Sequence, residues 1–306
     1  MTYRVGRRAF LRLAAAAAIS TRSVTLAQST ERISPVPLDW SALRNQQPVG
    51  MGTWLTFDVE PTLYDARQAV LEAFVEHGGG MIDSSPMYGR AEKVIGTLLA
   101  RRPSPTRSVL SATKIWTVAA SRGSEQLGTS QALWGQSTLD LVYVHNLLKW
   151  RDHLPMLREA KEAGAIRSLG VTTSHGRRHD EMLKVLRSES LDCLQMSYSL
   201  ANREAERRLL PAAHDRGVTV VINRPFQTGA LIQRLAPYPL PEWLTEFGAS
   251  SWAQVLLQFV LSHPAVTNVI PATRRTDHMH ENMAAGRLPA LNAATRQRLI
   301  RYVESL

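Results

Sequence analysis

Along this chain the spacing of apolar residues switches repeatedly between two periods. Short apolar runs such as Met81-Ile82, Ser108–Thr113 and Leu141–Val144 have the length and content of buried strands. Between them, apolar residues recur every three or four positions. Residues 63–77 carry Ala66, Val70, Leu71, Phe74 and Val75 on one helical stripe, closed by Gly78-Gly79-Gly80. The alternation predicts strands at 49–53, 81–83, 108–113, 139–145, 168–172, 192–197, 218–223 and 267–270. Helices are predicted at 63–77, 91–100, 122–134, 152–163, 179–187, 203–216, 252–262 and 277–285, with one more at 292–305. Eight strand–helix units within a chain of 306 residues favour an α/β fold closed as a (β/α)8 TIM barrel over an open doubly wound sheet. The first strand runs VGMGTWLT (49–56) into a loop, so no glycine-rich dinucleotide fingerprint opens a helix there. The Pro- and Gly-bearing segment 232–250, with Trp243 and Phe247, reads as a lid or a contact surface.

Composition separates the N-terminus from the rest. The chain carries 36 Lys+Arg against 26 Asp+Glu, a net charge of +10. Five of those cations, Arg4, Arg7, Arg8, Arg12 and Arg22, fall in residues 1–27, which hold no acid. No basic, aromatic-interleaved patch remains elsewhere, so nucleic-acid binding is not expected. Arg7-Arg8-Ala9-Phe10-Leu11-Arg12 precedes Leu13, an alanine run to Ile19 and then Thr25-Leu26-Ala27. A basic start, a short apolar middle and a small-residue site make a secretory signal peptide. The arginine pair resembles a twin-arginine signal, whose export machinery carries folded proteins; the alternative is an uncleaved amphipathic leader. The apolar stretch is shorter than the roughly 20 residues that span a bilayer, and no cysteine follows it for a lipid. The expected divisions are a signal at 1–27, a polar tail at 28–48 and the barrel at 49–306. The expected protein is periplasmic or secreted, without a stable membrane anchor. The one cysteine, Cys193, lies in the apolar run Leu191–Met196 and reads as a core residue.

Chemistry gathers where strands end. Asp83, Lys114 and His145 each close a predicted strand, and they are spaced 31 residues apart. Parallel strands in such a fold put their C-terminal ends on one side, where active sites lie. Tyr88 follows closely on Asp83. A lysine ammonium beside a phenol favours the phenolate and is expected to lower the Tyr88 pKa toward working pH, with Asp83 keeping the lysine charged. The phenol could then pass a proton to a carbonyl oxygen that gains charge, while His145 donates a second hydrogen bond to it. Taken singly, each residue reads as a packing, capping or solvated group. The argument rests on all four standing at strand ends with one period.

Five segments carry a resemblance: GGGMIDSSPMYGRAEKVIG (78–96), SATKIW (111–116), LDLVYVHN (139–146), KEAGAIRSLGVTT (161–173) and IPATRRTDHMHEN (270–282). In this order they resemble the signature blocks of the aldo-keto reductases, from about Gly50 to Ala285. The resemblance implies an eight-stranded barrel that binds NADP(H) in extended form, with Asp83, Tyr88, Lys114 and His145 as catalytic tetrad. It places Gly52, Thr53 and Asp83 at the nicotinamide end. Thr172 and Thr173 stand where the family has Ser-Asn gripping the carboxamide, with Gln195 beside them. Asn223-Arg224-Pro225-Phe226 replaces a Tyr-Ser-Pro stretch, so the tyrosine that usually stacks under the ring is absent. Gly229 and Leu231 match the start of a pyrophosphate strap. Ala272 and His278 stand where the family has Lys and Arg clamping the ribose 2′-phosphate, with Thr273 and the pair Arg274-Arg275 adjacent as candidates for that end, and Glu281 and Asn282 match the adenine end. NADP(H) is the expected cofactor, with NAD(H) as the alternative. Trp54, Trp116 and Asn146 are expected around a small-molecule carbonyl substrate.

These features together describe an exported carbonyl reductase. The rival reading is a nicotinamide-binding sensor or partner subunit with little turnover. A hydrolase on the same barrel would want a second opposed carboxylate or a metal cluster, and Asp83 has no evident partner. His175 and His179 have helical spacing but lack a third ligand, so no metal is expected.

Overall fold

Eight short parallel strands follow one another around the sheet in sequence order: β1 Met51–Gly52, β2 Met81–Asp83, β3 Leu110–Ile115, β4 Leu139–Val144, β5 Ile166–Thr172, β6 Cys193–Ser197, β7 Thr219–Asn223 and β8 Asn268–Val269. The structure is a computed structural model and describes residues 38–102 and 109–306. The expected signal peptide lies outside the described residues. A parallel bridge between Val49 and Val269 joins the first strand to the last. There Gly50 N donates to Val269 O at 2.8 Å and Val269 N to Pro48 O at 2.9 Å, so the sheet closes as the predicted (β/α)8 barrel.

Helices form the outer layer: α1 Trp40–Gln46, α2 Tyr64–Glu76, α3 Ala91–Ala100, α4 Gly123–Trp134, α5 Trp150–Glu162, α6 His179–Ser188, α7 Leu209–Asp215, α8 Ala230–Leu235, α9 Glu242–Thr245, α10 Trp252–Leu261, α11 Thr276–Ala285 and α12 Ala293–Ser305. The tail expected at 28–48 is thus helical over 40–46. Asp39 caps α1 through Ala42 N at 2.9 Å, and Leu43 is buried over Gly80, where an added Cβ would lie 2.4 Å from its Cδ1. The single helix predicted over 203–216 divides. Glu204–Arg207 form a 3-10 turn, Arg208 leaves helical geometry at φ −143°, and α7 restarts with Pro211 in its first turn. Proline is tolerated there because that N–H has no intrahelical partner. The close packing of α3 on α4 requires Gly96, since a Cβ would meet Leu133 O at 1.9 Å.

Strand period then sorts the barrel interior. Side chains two apart on a strand share a face, so Met81 and Asp83, Ala112 and Lys114, Leu141 and Tyr143, Cys193 and Gln195, and Val221 and Asn223 stack in pairs inside. The lower members, Met81, Ala112, Leu141, Cys193 and Val221, form one apolar cluster with Tyr143 and Ile270. Above it the inward positions turn polar, which is what a packed barrel with a site at its C-terminal end demands. Cys193 is buried as expected, its Sγ 3.4 Å from Tyr143 Oη, and burial pushes its thiol up. Segment 232–250 packs on α12. Trp252 Nε1 donates to Tyr238 O at 2.7 Å, the Trp252 ring stacks on Tyr302 with an interplanar angle of 13°, and Trp243 meets Tyr302 edge-on.

Candidate active site

Above the polar layer the loops enclose an open cleft of about 650 Å3. Asp83 ends β2 and Lys114 lies one residue before the end of β3, both fully enclosed by the barrel. Lys114 Nζ donates to Asp83 Oδ1 at 2.6 Å and to Ser84 O at 2.6 Å. The other carboxylate oxygen, Oδ2, accepts from Gln195 Nε2 at 2.8 Å. Tyr88 arrives on the loop after β2, with Lys114 Nζ 4.8 Å from its ring centroid and the His145 ring edge-on at 5.9 Å. His145 follows β4 and is buried, its Nδ1 3.1 Å from Ser85 Oγ. The three residues at the strand ends therefore meet in one place, and the β2 loop brings Tyr88 to them. The sequence reading missed Ser85 as the partner of His145; its signal was the Asp-Ser-Ser-Pro run that leaves β2.

Electrostatics assign each group a state. Burial disfavours charge on Lys114, but Asp83 and the Tyr88 phenol outweigh it and hold the lysine above its ordinary value. Burial also raises Tyr88; Lys114 pulls it down and Asp83 pushes it up, and the net direction is upward. The expected drop toward working pH is thus not found, because desolvation of the phenolate exceeds the pull of an ammonium already shared with Asp83. The phenol keeps its proton at neutral pH. His145 is pushed down to about 3, by burial first and by Lys114 second, so its imidazole is neutral at working pH.

The His145 shift has a consequence for stability. Below pH 6.5 the unfolded chain takes up a proton that the folded chain refuses until about pH 3. Stability is therefore lost as pH falls through that window, by at most about 1.4 kcal/mol per pH unit from this group. His145→Gln is expected to flatten the acid side of a pH series of urea midpoints; an unchanged slope would show that His145 is not held neutral.

The cofactor positions inferred from the resemblance divide. Gly52, Thr53, Asp83, Thr172, Gln195, Asn223, Gly229, Thr273, His278, Glu281 and Asn282 line the cleft, as do Trp54 and Asn146. Thr53 is fixed by Oγ1 bonds to Asp83 O at 3.0 Å and Ser84 Oγ at 2.9 Å. Thr172 Oγ1 donates to Gln195 Oε1 at 3.0 Å, which ties the carboxamide position to Asp83. Asn223 takes no stacking role: it accepts from Ser197 Oγ at 2.6 Å and donates to Thr173 O at 2.9 Å.

Besides the fully buried Lys114, four expected cofactor and substrate positions stand outside the lining. Thr173 is buried one residue past Thr172, and its hydroxyl faces Met182 on α6 at 4.0 Å. Leu231 turns into the core, leaving Ile232 and Gln233 on the cleft side. Trp116 is 43% exposed, because Gln126 pins its backbone, accepting from Trp116 N at 2.6 Å. Arg274 is exposed beside the lining residue Thr273. Conversely, Met87, Ser174, His175, Arg224, Phe226 and Trp252 line the cleft without having been anticipated as site residues. No group of three metal-ligating side chains occurs among the described residues. The buried Glu92 accepts from Thr113 Oγ1 and Trp134 Nε1, so it offers Asp83 no opposed carboxylate.

A nicotinamide dinucleotide fits this donor set. Thr172 and Gln195 stand at one end and α11 at the other, where Asn282 is buried at the cleft wall and its amide bonds to no described residue. Known proteins place the fold in context. An NADH-specific methylglyoxal reductase from Escherichia coli is 26% identical over 219 residues, 60% of this chain and 64% of that protein. The chain thus spans less than two thirds of that relative's length. A pyridoxal 4-dehydrogenase from Microbacterium luteolum is 25% identical over 286 residues, covering 70% and 82% of the two chains. An aldo/keto reductase from Klebsiella pneumoniae, solved in complex with NADP and acetate, shares the fold with a TM-score of 0.72. Its identity is 24%, over 84% of this chain and 91% of that one. The holo form of an aldo-keto reductase from Bacillus halodurans gives a TM-score of 0.69 at 21% identity, with the same coverage. The profile of the Aldo/keto reductase family matches residues 48–300, and the chain belongs to that family of oxidoreductases.

Proposed function

We propose that the protein reduces aldehydes or ketones with a nicotinamide cofactor, and that Tyr88 is the acid. The observation that carries this reading is the buried Lys114–Asp83 pair set under a protonated Tyr88, with neutral His145 beside it. Bound NADP(H) would supply hydride to the carbonyl carbon. With the Ser85 hydroxyl donating to Nδ1, His145 presents Nε2–H to the carbonyl oxygen and orients it. As charge builds on that oxygen, the Tyr88 Oη proton moves to it, and Lys114 stabilises the phenolate left behind. The carbonyl compound gains a hydride and a proton and leaves as the alcohol. The direct test is NADPH oxidation by purified residues 28–306 with a reactive aromatic aldehyde. Tight NADPH binding without turnover across an aldehyde panel would favour the sensor instead.

Charge at the adenine end favours NADPH over NADH. Of the adjacent pair Arg274-Arg275, Arg275 is engaged by Asp277, whereas Arg274 pairs with no carboxylate among the described residues. A guanidinium left over beside Thr273 and His278 suits forked recognition of a ribose phosphate. Arg274→Gln is expected to weaken NADPH about tenfold and leave NADH within about twofold. Equal weakening of both would remove Arg274 from that role.

Export in folded form completes the proposal. A route that carries folded protein would let the enzyme leave with its cofactor, and Arg7-Arg8 is the sequence support for it. Lysine at both positions is expected to retain the protein in the cytoplasm; unchanged fractionation would sink this part.

A further inference from the structure

Beside the cleft lies a second cavity of about 310 Å3, walled by His175, Ser197, Ser199, Asn202, Arg224 and Gln227. His175 and Arg224 line both cavities, so they form the partition between them. The charges that act on these two residues are all cationic. Arg177 acts on Arg224, and Arg224 and Arg177 both act on His175. None of the three pairs with a carboxylate among the described residues, and no acid acts on Arg224 or His175. Arg224 is half-buried with its Cζ 5.8 Å from the Trp54 ring centroid, so its charge faces the cleft against an aromatic wall.

Backbone geometry holds the partition in place. His175, Arg224, Gln227 and Thr228 all have positive φ, between 52° and 63°, a region that non-glycine residues rarely occupy. Strain of this kind concentrates where side chains must be aimed. A continuous polar wall also links the partition to the reacting centre. His145 is followed by Asn146, whose Oδ1 accepts from Ser174 Oγ at 3.3 Å, and Ser174 Oγ lies 2.9 Å from His175 Nδ1.

Resting on the reductase reading, we propose that Arg224 and His175 form a subsite for an anionic group on the substrate. The preferred substrates are then carbonyl compounds bearing a carboxylate or phosphate. Position in the barrel favours the substrate over the cofactor's own phosphates as the source of that anion. The second cavity opens among the loops after β5, β6 and β7, whereas the residues for the adenine end follow β8 and lie on α11. Arg224 and Gln227 share the loop after β7 with Gly229, the expected start of the pyrophosphate strap, but the cavity's other polar walls, His175, Ser197, Ser199 and Asn202, stand at the ends of β5 and β6, where no phosphate contact is expected.

The test compares 4-carboxybenzaldehyde with its neutral methyl ester, in the parent and in Arg224→Gln and Arg177→Gln. It is paired with calorimetric titration of terephthalate into the NADPH-loaded protein. The parent is expected to favour the acid roughly tenfold or more in kcat/KM, through KM, and to bind terephthalate saturably. Arg224→Gln should erase both effects while the ester's kcat/KM serves as internal reference, and Arg177→Gln should reduce them in part. Equal turnover of acid and ester by the parent, or no terephthalate binding, would overturn the subsite. Weaker NADPH binding in Arg224→Gln, with equal losses on acid and ester, would assign Arg224 to the cofactor's phosphates and overturn it as well. Terephthalate binding that depends on Arg224, in a protein that reduces neither aldehyde, would uphold the subsite and reject the reductase reading alone.

Discussion

Tyr88→Phe is expected to lower kcat for aldehyde reduction by about 10^2–10^4-fold while NADPH affinity stays within about twofold. The phenyl ring keeps the contact that Lys114 Nζ makes at 4.8 Å from the centroid and the edge-on contact with His145. What goes is one proton, at the point where the carbonyl oxygen becomes an alkoxide. Because burial holds the Tyr88 phenol above its ordinary value, the parent should keep a flat reduction rate from neutral to about pH 10. His145, neutral down to about pH 3, adds no break on the acid side of neutrality. A variant that keeps more than about a tenth of parental kcat would show that the proton comes from elsewhere, from solvent or from His145.

Much of this site was legible because a strand shows its two faces at a period of two. Once Met81, Ala112 and Leu141 are read as the inward apolar layer, the residues two or four positions on, Asp83, Lys114 and His145, must rise at the same end. The same rule could have corrected Thr173. It follows Thr172 by one residue, so it faces the helical layer and meets Met182. Trp116 misled for the opposite reason: its parity points inward, but the strand ends at Ile115 and Gln126 draws its backbone outward. His175 and Arg224 stood out in the sequence only as half of a histidine pair and as part of a replaced Tyr-Ser-Pro stretch, and neither signal placed them on the cleft wall. They sit on loops in a left-handed backbone geometry that sequence pattern assigns to glycine, so their direction depends on the whole of β5 and β7. Helix α1 stayed hidden because one buried residue, Leu43, makes no stripe.

Lys114→Met is expected to cost about 3–5 kcal/mol of stability, the usual penalty for breaking a buried ion pair from one side. Lys114 is fully buried and Asp83 is 2% exposed, so methionine fills the space but leaves a carboxylate whose remaining described partner is Gln195. The backbone oxygen of Ser84 loses its donor as well. Adding Asp83→Asn to Lys114→Met should restore most of the urea midpoint, because the uncompensated charge is then gone. Activity should not return with it. Without the ammonium, nothing offsets the burial that raises Tyr88, and the phenolate formed on proton transfer has no countercharge. Recovery of stability without recovery of turnover separates the two roles of the pair, one in holding the barrel's polar layer and one in tuning the acid. An unchanged midpoint in Lys114→Met would show that the pair is solvated rather than buried. Return of turnover in the double variant would show that Tyr88 needs no cation beneath it.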